Sequence, residues 1–322
     1  MMIDILTIDI IKNAHKRIKD FIKKTPLIHS EFFSDLCKAT VYLKLENQQT
    51  TNSFKVRGAF NRILQLSSEE VKRGIITASS GNHAIGVAVA AKELGIFAKI
   101  IVPKVISKLK LDKLKTYDAI IIQEGIYDEV EAKARKLSTN EGLTYISPYN
   151  DDEIIAGQGT IGLEIYDEIG NVDAIIVPVG GGGLISGIAI AIKHLNPSIE
   201  IIGVQTKGAS TMYQSWKRGR IISIKESSTL AEGLLGGLEP NAISWEIIKS
   251  YVDELDLVKE GSIKKAINLL WRKEGQVVEG AGATSVAYIL ENKQKIKDKT
   301  IVAVISGGNI EESLFKKIIK KV

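Results

Sequence analysis

The sequence predicts an α/β protein with two domains, each an open, twisted, mostly parallel sheet flanked by helices. Three observations carry that prediction. Short apolar runs rich in β-branched residues alternate with helical segments along most of the chain. Several of these runs are continuously apolar, as parallel strands buried on both faces must be. The chain has 322 residues, beyond the size at which a single core keeps growing, so two domains follow.

Taken in order, strands are predicted at 41–46 (VYLKLE), 74–79 (GIITAS), 98–103 (AKIIVP), 119–123 (AIIIQ), 173–179 (DAIIVPV), 200–205 (EIIGVQ) and 300–306 (TIVAVIS). Helices fall between them at 83–95, 126–141, 151–169, 184–195, 262–273, 281–291 and 310–320. The first segment, IDILTIDIIKNAHKRIKDFIKK, spaces its apolar residues helically among charges. An amphipathic helix is also predicted over 54–66, with Asn52 or Ser53 as N-cap and Phe54, Ala59, Phe60, Ile63 and Leu64 available to a core. No repeat or low-complexity linker marks a domain boundary.

Composition narrows the function classes. Hydrophobic residues make up 44% and charged residues 25%, an ordinary globular balance. The single cysteine, Cys37, excludes an intramolecular disulfide framework and a multi-cysteine zinc site; it reads as a small apolar residue. No signal peptide and no apolar run of about 20 residues is present, so a cytoplasmic location and no membrane association are expected. The net charge is +5, and the basic clusters at 108–115 (KLKLDKLK) and 316–321 (KKIIKK) read as solvated helix faces. Zinc-finger spacing and aromatic RNA-binding strands are absent, so no nucleic-acid partner is expected.

Lys55 stands in the first turn of the 54–66 helix, at the positive end of its dipole, where an acid is the favoured charge. Two readings stand. Either the side chain reaches into water and its place carries no meaning, or its charge is meant to be unstable. A lysine with a lowered pKa is a nucleophilic amine fit for a Schiff base.

Two strand-to-helix turns bear on the choice. In TASSGNHAIGVAVAAKEL (77–94), Ser79, Ser80, Gly81, Asn82 and His83 open an Ala-rich helix and expose N–H groups suited to an anion. Ser80 or Asn82 could equally be a plain N-cap, and His83 a hydrogen-bonded structural residue without a catalytic role. In DAIIVPVGGGGLISG (173–187), four glycines, Gly180 to Gly183, follow a buried strand. Each is costly to order, by about 0.5–1 kcal/mol against alanine, and close approach of N–H groups to a phosphate accounts for the run. No Lys-Ser/Thr pair follows at P-loop spacing, and no glycine in 180–187 has glycine partners at both i+2 and i+5, so the run is not a G-x-G-x-x-G. A third turn, AVISGGNIEESL (303–314), ends the last strand with Ser306, Gly307, Gly308 and Asn309. A phosphate-bearing aldehyde held by a lysine imine would use all of these parts, and that cofactor is pyridoxal 5′-phosphate.

The motifs TPLIHS (25–30), SFKVRGA (53–59), SSGNHA (79–84), PVGGGGLISG (178–187), TLAEGL (229–234), VVEGAGA (277–283) and SGGN (306–309) resemble, in this order and over almost the whole chain, the fold-type II pyridoxal-phosphate enzymes. Within them the chain is most similar to threonine/serine dehydratases (threonine ammonia-lyases) and serine racemases. Cysteine and threonine synthases usually carry Lys-Asp-Arg and Gly-Asn-Thr where this chain has Lys55-Val56-Arg57 and Gly81-Asn82-His83.

The resemblance implies the tryptophan synthase β-like architecture, with residues 1–73 and 148–322 as a large cofactor-binding domain and 74–147 as a small inserted one. It implies that Lys55 carries the cofactor and acts as base at Cα, and that Phe54 lies against the cofactor. Asn82 meets the phenolic oxygen, Gly180 to Gly183 with Leu184 cradle the phosphate, Gly233 passes close by, and Ser306 faces the pyridine nitrogen. Ser79, Ser80, Gly81, Asn82 and His83 hold the substrate carboxylate. The implied reaction is dehydration and deamination of L-threonine, and of L-serine, to 2-oxobutanoate or pyruvate plus ammonia through an aminoacrylate. The implied assembly is a homodimer or higher homo-oligomer.

Departures from the family pattern shape the alternatives. Many dehydratases have alanine at Ser80, whereas serine racemases have serine there as a second acid/base. Racemisation therefore stands as an alternative, beside a 3-hydroxyaspartate dehydratase. Metal-dependent relatives place acids at the positions of Gln205 and Thr211, which supply no anionic ligand, so no metal site is expected. Ile85 stands where glutamine is usual. The chain ends soon after its last helix, so feedback through a regulatory domain is not expected.

Overall fold

The computed structural model of the chain describes residues 7–79, 81–125 and 127–320, without the side chains of Tyr127 and Asp128. Ten strands are described, in chain order β1 (Leu27–His29), β2 (Thr40–Lys44), β3 (Ile75–Ala78), β4 (Ala98–Val102), β5 (Ile120–Gln123), β6 (Thr144–Tyr145), β7 (Ala174–Pro178), β8 (Glu200–Thr206), β9 (Glu254–Val258) and β10 (Thr300–Val304). They form two sheets. One has six strands in the order β1-β2-β10-β7-β8-β9, the other four in the order β5-β4-β3-β6. Every pairing is parallel except β1 with β2.

The apolar runs become strands because both sheet faces are covered. Val41, Leu43, Ile176 and Ile301 pack on one face of the six-stranded sheet with Ile263 and Ile267 of the helix Glu260–Glu274. Their alternates Ile175, Val177, Val302 and Val304 pack on the other with Ile185 and Ile188 of the helix Gly183–Leu195. In the four-stranded sheet, Ile75 and Ala98 meet Val87 and Ala90 of the helix Asn82–Glu93, while Ile76 and Ile101 meet Val130 and Ala134 of the helix Tyr127–Glu141. Ile85 is buried beside Ile100 and Val102, which makes it a core residue. Cys37 is buried as well, and burial raises its thiol pKa.

All seven predicted strands are present, with ends displaced by a residue or two. Three further strands went unread. β1 and β6 are too short for a period to show, and β9 alternates acids with leucines, taking its conformation from β8. The helix predicted at 281–291 begins as a 3-10 turn, Ala281–Ala283, before Thr284–Glu291.

The helix carrying Lys55 corrects a larger expectation. It spans Lys55–Ile63, its N-cap is Phe54, and no side chain caps it. Asn52 and Ser53 do not serve. Asn52 has φ 59°, and the Ser53 hydroxyl is buried without a partner among the described residues. Main-chain bonds to the third turn hold this entry instead: Phe54 N–H to Ser306 O at 3.2 Å, Gly308 N–H to Asn52 O at 2.9 Å, and a bridge between Ser53 and Gly307. Tertiary anchoring replaces the local cap.

Two devices lock this helix against the helix Asp152–Ile169. The first is close approach, since a Cβ on Gly157 would stand 2.6 Å from Gly58 Cα. The second is a buried charge quartet. Arg57 makes two bonds to Glu46 (2.8 and 2.9 Å) and two to Glu164 (2.6 and 2.9 Å), and Lys44 meets Glu164 at 2.7 Å. All four residues are buried, and their charges cancel. Burial alone would raise the Glu164 pKa, but Arg57, then Lys44, hold it below the ordinary value. Among the described residues no helix is long and apolar enough to cross a membrane.

Candidate active site

The three turns converge on one cleft of about 1200 Å³. Phe54, Lys55, Ser79, Gly81, Asn82, His83, Gly180, Gly181, Gly182, Gly183, Leu184, Gly233 and Ser306 all line it. Ser80 lies outside the described residues. The fold brings these positions together because the loops after β3, β7 and β10, at the C-terminal ends of parallel strands, all open toward the same space.

Lys55 is the first residue of its helix, and its Nζ donates to Pro148 O at 2.7 Å. Burial lowers its pKa to about 8. Beside it, His83 is 2% exposed and bonded through Nε2 to Ile146 O at 3.1 Å. Because the carbonyl accepts, Nε2 bears the proton. Nδ1 is then a bare acceptor with no partner among the described residues. Burial, and then the neighbouring Lys55, push the His83 pKa down to about 3, so the ring is neutral at physiological pH.

Gly181 packs on the Tyr149 ring, where a Cβ on Gly181 would stand 2.5 Å from Tyr149 Cγ, and Gly183 packs on the Tyr149 main chain and Cβ. Gly182 turns the chain with φ +92° into the helix Gly183–Leu195. The N–H groups of Gly180 to Leu184 have no acceptor among the described residues. Five consecutive free donors at a helix N-terminus form an anion cradle.

Asn82 is the first residue of its helix, and Gly81, not Asn82, occupies the N-cap. Both ends of its amide are engaged: Nδ2 donates to Glu279 Oε1 at 2.5 Å and Oδ1 accepts from Asn309 Nδ2 at 2.7 Å. Lys113 Nζ extends this chain to Asn309 Oδ1 and Thr51 O. Lys110, from the same helix, lines the cleft, so the 108–115 segment is not a purely solvated face. Glu279 is 7% exposed, and desolvation, only partly offset by Lys110 and Asn82, raises its pKa. It is a residue that sequence reasoning missed; the signal was an acid amid small and apolar residues in VVEGAGA (277–283).

The position expected to lack metal ligands is otherwise occupied. Gln205 Oε1 accepts from Tyr213 N–H at 2.7 Å, and the Thr211 hydroxyl donates to Glu226 at 2.9 Å.

A half-buried amine of lowered pKa and a cradle of free N–H groups in one cleft fit an aldehyde that bears a phosphate. The comparison with known families agrees, since the family described as "Pyridoxal-phosphate dependent enzyme" matches residues 18–307. The chain belongs to the pyridoxal-phosphate dependent enzymes. Its cofactor is pyridoxal 5′-phosphate, and the architecture is that of fold type II. Among relatives of this pyridoxal-phosphate enzyme, L-threonine ammonia-lyase of Thermotoga maritima is 44% identical over 317 residues, 98% of this chain and 79% of that one. A catabolic L-threonine dehydratase of Staphylococcus aureus is 45% identical over 312 residues, covering 95% and 90%. Maize serine racemase superposes with TM-score 0.92 at 35% identity, covering 98% of this chain and 97% of that one. The processed form of threonine deaminase isoform 2 from Solanum lycopersicum gives 0.91 at 34%, covering 97% and 87%.

Proposed function

We propose that this enzyme dehydrates and deaminates L-threonine, and L-serine, to 2-oxobutanoate or pyruvate and ammonia. The observation that carries the substrate is the chain-long identity to proteins named for threonine, at 44–45%. In the net reaction the Cα–H and Cβ–OH bonds break, water leaves, and water re-enters at Cα as ammonium departs.

Pyridoxal phosphate, when bound, supplies the electron sink that makes the Cα proton acidic. The chain supplies the rest. Lys55 attaches the cofactor and, once its amine is free, takes the Cα proton. With a pKa of about 8, about a tenth of such amines are neutral at pH 7, against fewer than about one in a thousand for an ordinary lysine. The free N–H groups of Gly180 to Leu184 would bind the phosphate, and Phe54 and Gly233, which line the same cleft, would flank the cofactor. Ser306, which lines the cleft, would offer a hydroxyl to the pyridine nitrogen. Asn82, fixed by Glu279 and Asn309, would have one amide proton left to offer the phenolic oxygen. The turn from Ser79 to His83 orients the substrate carboxylate.

Serine racemisation is the second reading, supported by the 35% identity to maize serine racemase, with Ser80 as acid/base on the opposite face of Cα. The division into 1–73 with 148–322, and 74–147, belongs to the same proposal; all four strands of the smaller sheet lie between residues 75 and 145. So do a homo-oligomeric state and a cytoplasmic location. The test is a panel of L-threonine, L-serine, D-serine and 3-hydroxyaspartate, followed for oxo acid and for chirality. Rapid oxo-acid release from L-threonine with little D-product is expected. D-serine outrunning pyruvate, and lost in Ser80→Ala, would replace the dehydratase reading with the racemase.

A further inference from the structure

One guanidinium lines the cleft among the described residues, and it is already taken. Arg135 lies on the helix Tyr127–Glu141. Its Nε and Nη2 donate to Glu131 Oε1 at 3.1 and 2.9 Å. Its Nη2 also meets Glu239 Oε2 at 2.9 Å, from the loop that precedes the helix Ile243–Tyr251 and also lines the cleft. The guanidinium covers the Tyr145 ring at 4.4 Å. Two carboxylates against one cation leave this corner with a surplus negative charge.

The corner is tied to the reacting amine through short links. The Glu239 N–H donates to the Tyr149 hydroxyl at 2.8 Å. The Tyr149 ring supports Gly181 of the cradle, and the residue before Tyr149, Pro148, accepts from Lys55. Glu239 Oε1 is buried with no partner among the described residues, an acceptor open to a hydroxyl or ammonium donor and repulsive to a carboxylate. Lys110 approaches Gly81, with its Nζ 3.5 Å from where a Cβ there would stand. It serves the turn proposed for the substrate's α-carboxylate. Lys55 apart, the other lining cations are Arg135 and Lys225, and Arg135 is the one held by carboxylates among the described residues.

We infer that Glu239, assisted by Glu131, is a specificity-determining residue that neutralises Arg135 and restricts the cleft to β-hydroxy amino acids with uncharged side chains. This deepens the dehydratase reading and rests on it for the reaction. Selectivity here comes from a repulsive element held against the wrong substrate.

The experiment titrates the holoenzyme with L-aspartate and with L-alanine, neither of which carries a β-hydroxyl, and follows the shift of the cofactor absorbance band. This readout needs no turnover. The ratio of the two dissociation constants is compared among wild type, Glu239→Gln and Glu131→Gln, together with kcat/KM for 3-hydroxyaspartate over L-threonine. Wild type is expected to discriminate against aspartate, and Glu239→Gln to shift the ratio toward aspartate by at least about tenfold. Glu131→Gln shifts it the same way, and adding Arg135→Gln to Glu239→Gln abolishes the gain. A wild type that binds aspartate as well as alanine overturns the inference. So does a Glu239→Gln protein that weakens both ligands equally, which is the mark of a merely structural residue. A shifted ratio in a protein inert toward L-threonine upholds the filter and sinks the dehydratase reading.

Discussion

Asn82 donates to Glu279 across 2.5 Å, joining the turn after β3 to the loop that precedes the 3-10 turn Ala281–Ala283. The bond fixes which way the asparagine amide faces, and it places a carboxylate of raised pKa inside the cleft. Glu279→Ala removes the acceptor and leaves the amide donor facing an apolar gap, at a cost of about 1–3 kcal/mol. Cofactor affinity and kcat/KM should both fall, and Glu279→Gln should restore much of both.

Glu279 also sets a pH signature. An acid whose folded pKa is raised binds more protons folded than unfolded, so its contribution to stability declines as pH rises above the ordinary carboxylate range. Glu279→Gln should therefore raise the apo-protein's denaturation midpoint at pH 7. The advantage should vanish as pH falls below about 4. Paired melts across pH measure it.

Lys55 attaches cofactor only as a neutral amine. With its pKa lowered to about 8, the rate of cofactor capture by the apo-protein should rise with pH through about 8 and then level off. Stopped-flow absorbance follows it; a rate still climbing at pH 10 would show an ordinary lysine. Lys55→Ala should lose at least about 10³-fold in kcat.

How much of this was visible beforehand varies with the kind of contact. Gly180 to Gly183, Lys55 and the small-residue turns were legible because unusual residues in a run, or a charge at the wrong helix end, violate local preference. The Lys55 helix start was misread because its cap comes from Ser306 and Gly308, some 250 residues away in the chain. The Lys44–Glu46–Arg57–Glu164 quartet was invisible, since each member is an unremarkable charged residue until the fold buries all four together. Arg135 and Glu239 were hidden in the same way.

That quartet gives a stability prediction. Arg57→Met leaves two buried carboxylates facing one lysine and should cost about 3–5 kcal/mol, read by chemical denaturation. Arg57→Lys should recover little, because one ammonium cannot serve two bidentate partners. The Glu164 carboxyl, held below its ordinary value, contributes stability above the unfolded pKa that is lost as pH falls through the folded one. Glu164→Gln should flatten the acid limb of the stability profile.

Gly181→Ala drives a methyl group into the Tyr149 ring, 2.5 Å from Cγ. Overpacking of this kind costs about 1–3 kcal/mol, and the cradle must shift to relieve it. Cofactor dissociation should strengthen by about tenfold or more, while the far-UV spectrum stays as in wild type.

With Gln205 bonded to Tyr213 N–H and Thr211 to Glu226, chelation should leave the reaction untouched. EDTA that abolishes turnover, with magnesium restoring it, would overturn this.

The segment from Ile146 to Pro148 touches both Lys55 and His83, and it does so through peptide oxygens. Those atoms belong to every amino acid alike. A saturation library would read position 146 through the core packing of its buried side chain and would leave unseen the carbonyl that holds His83. Here the scaffold's contribution is written in the route of the main chain, out of reach of any catalogue of substitutions.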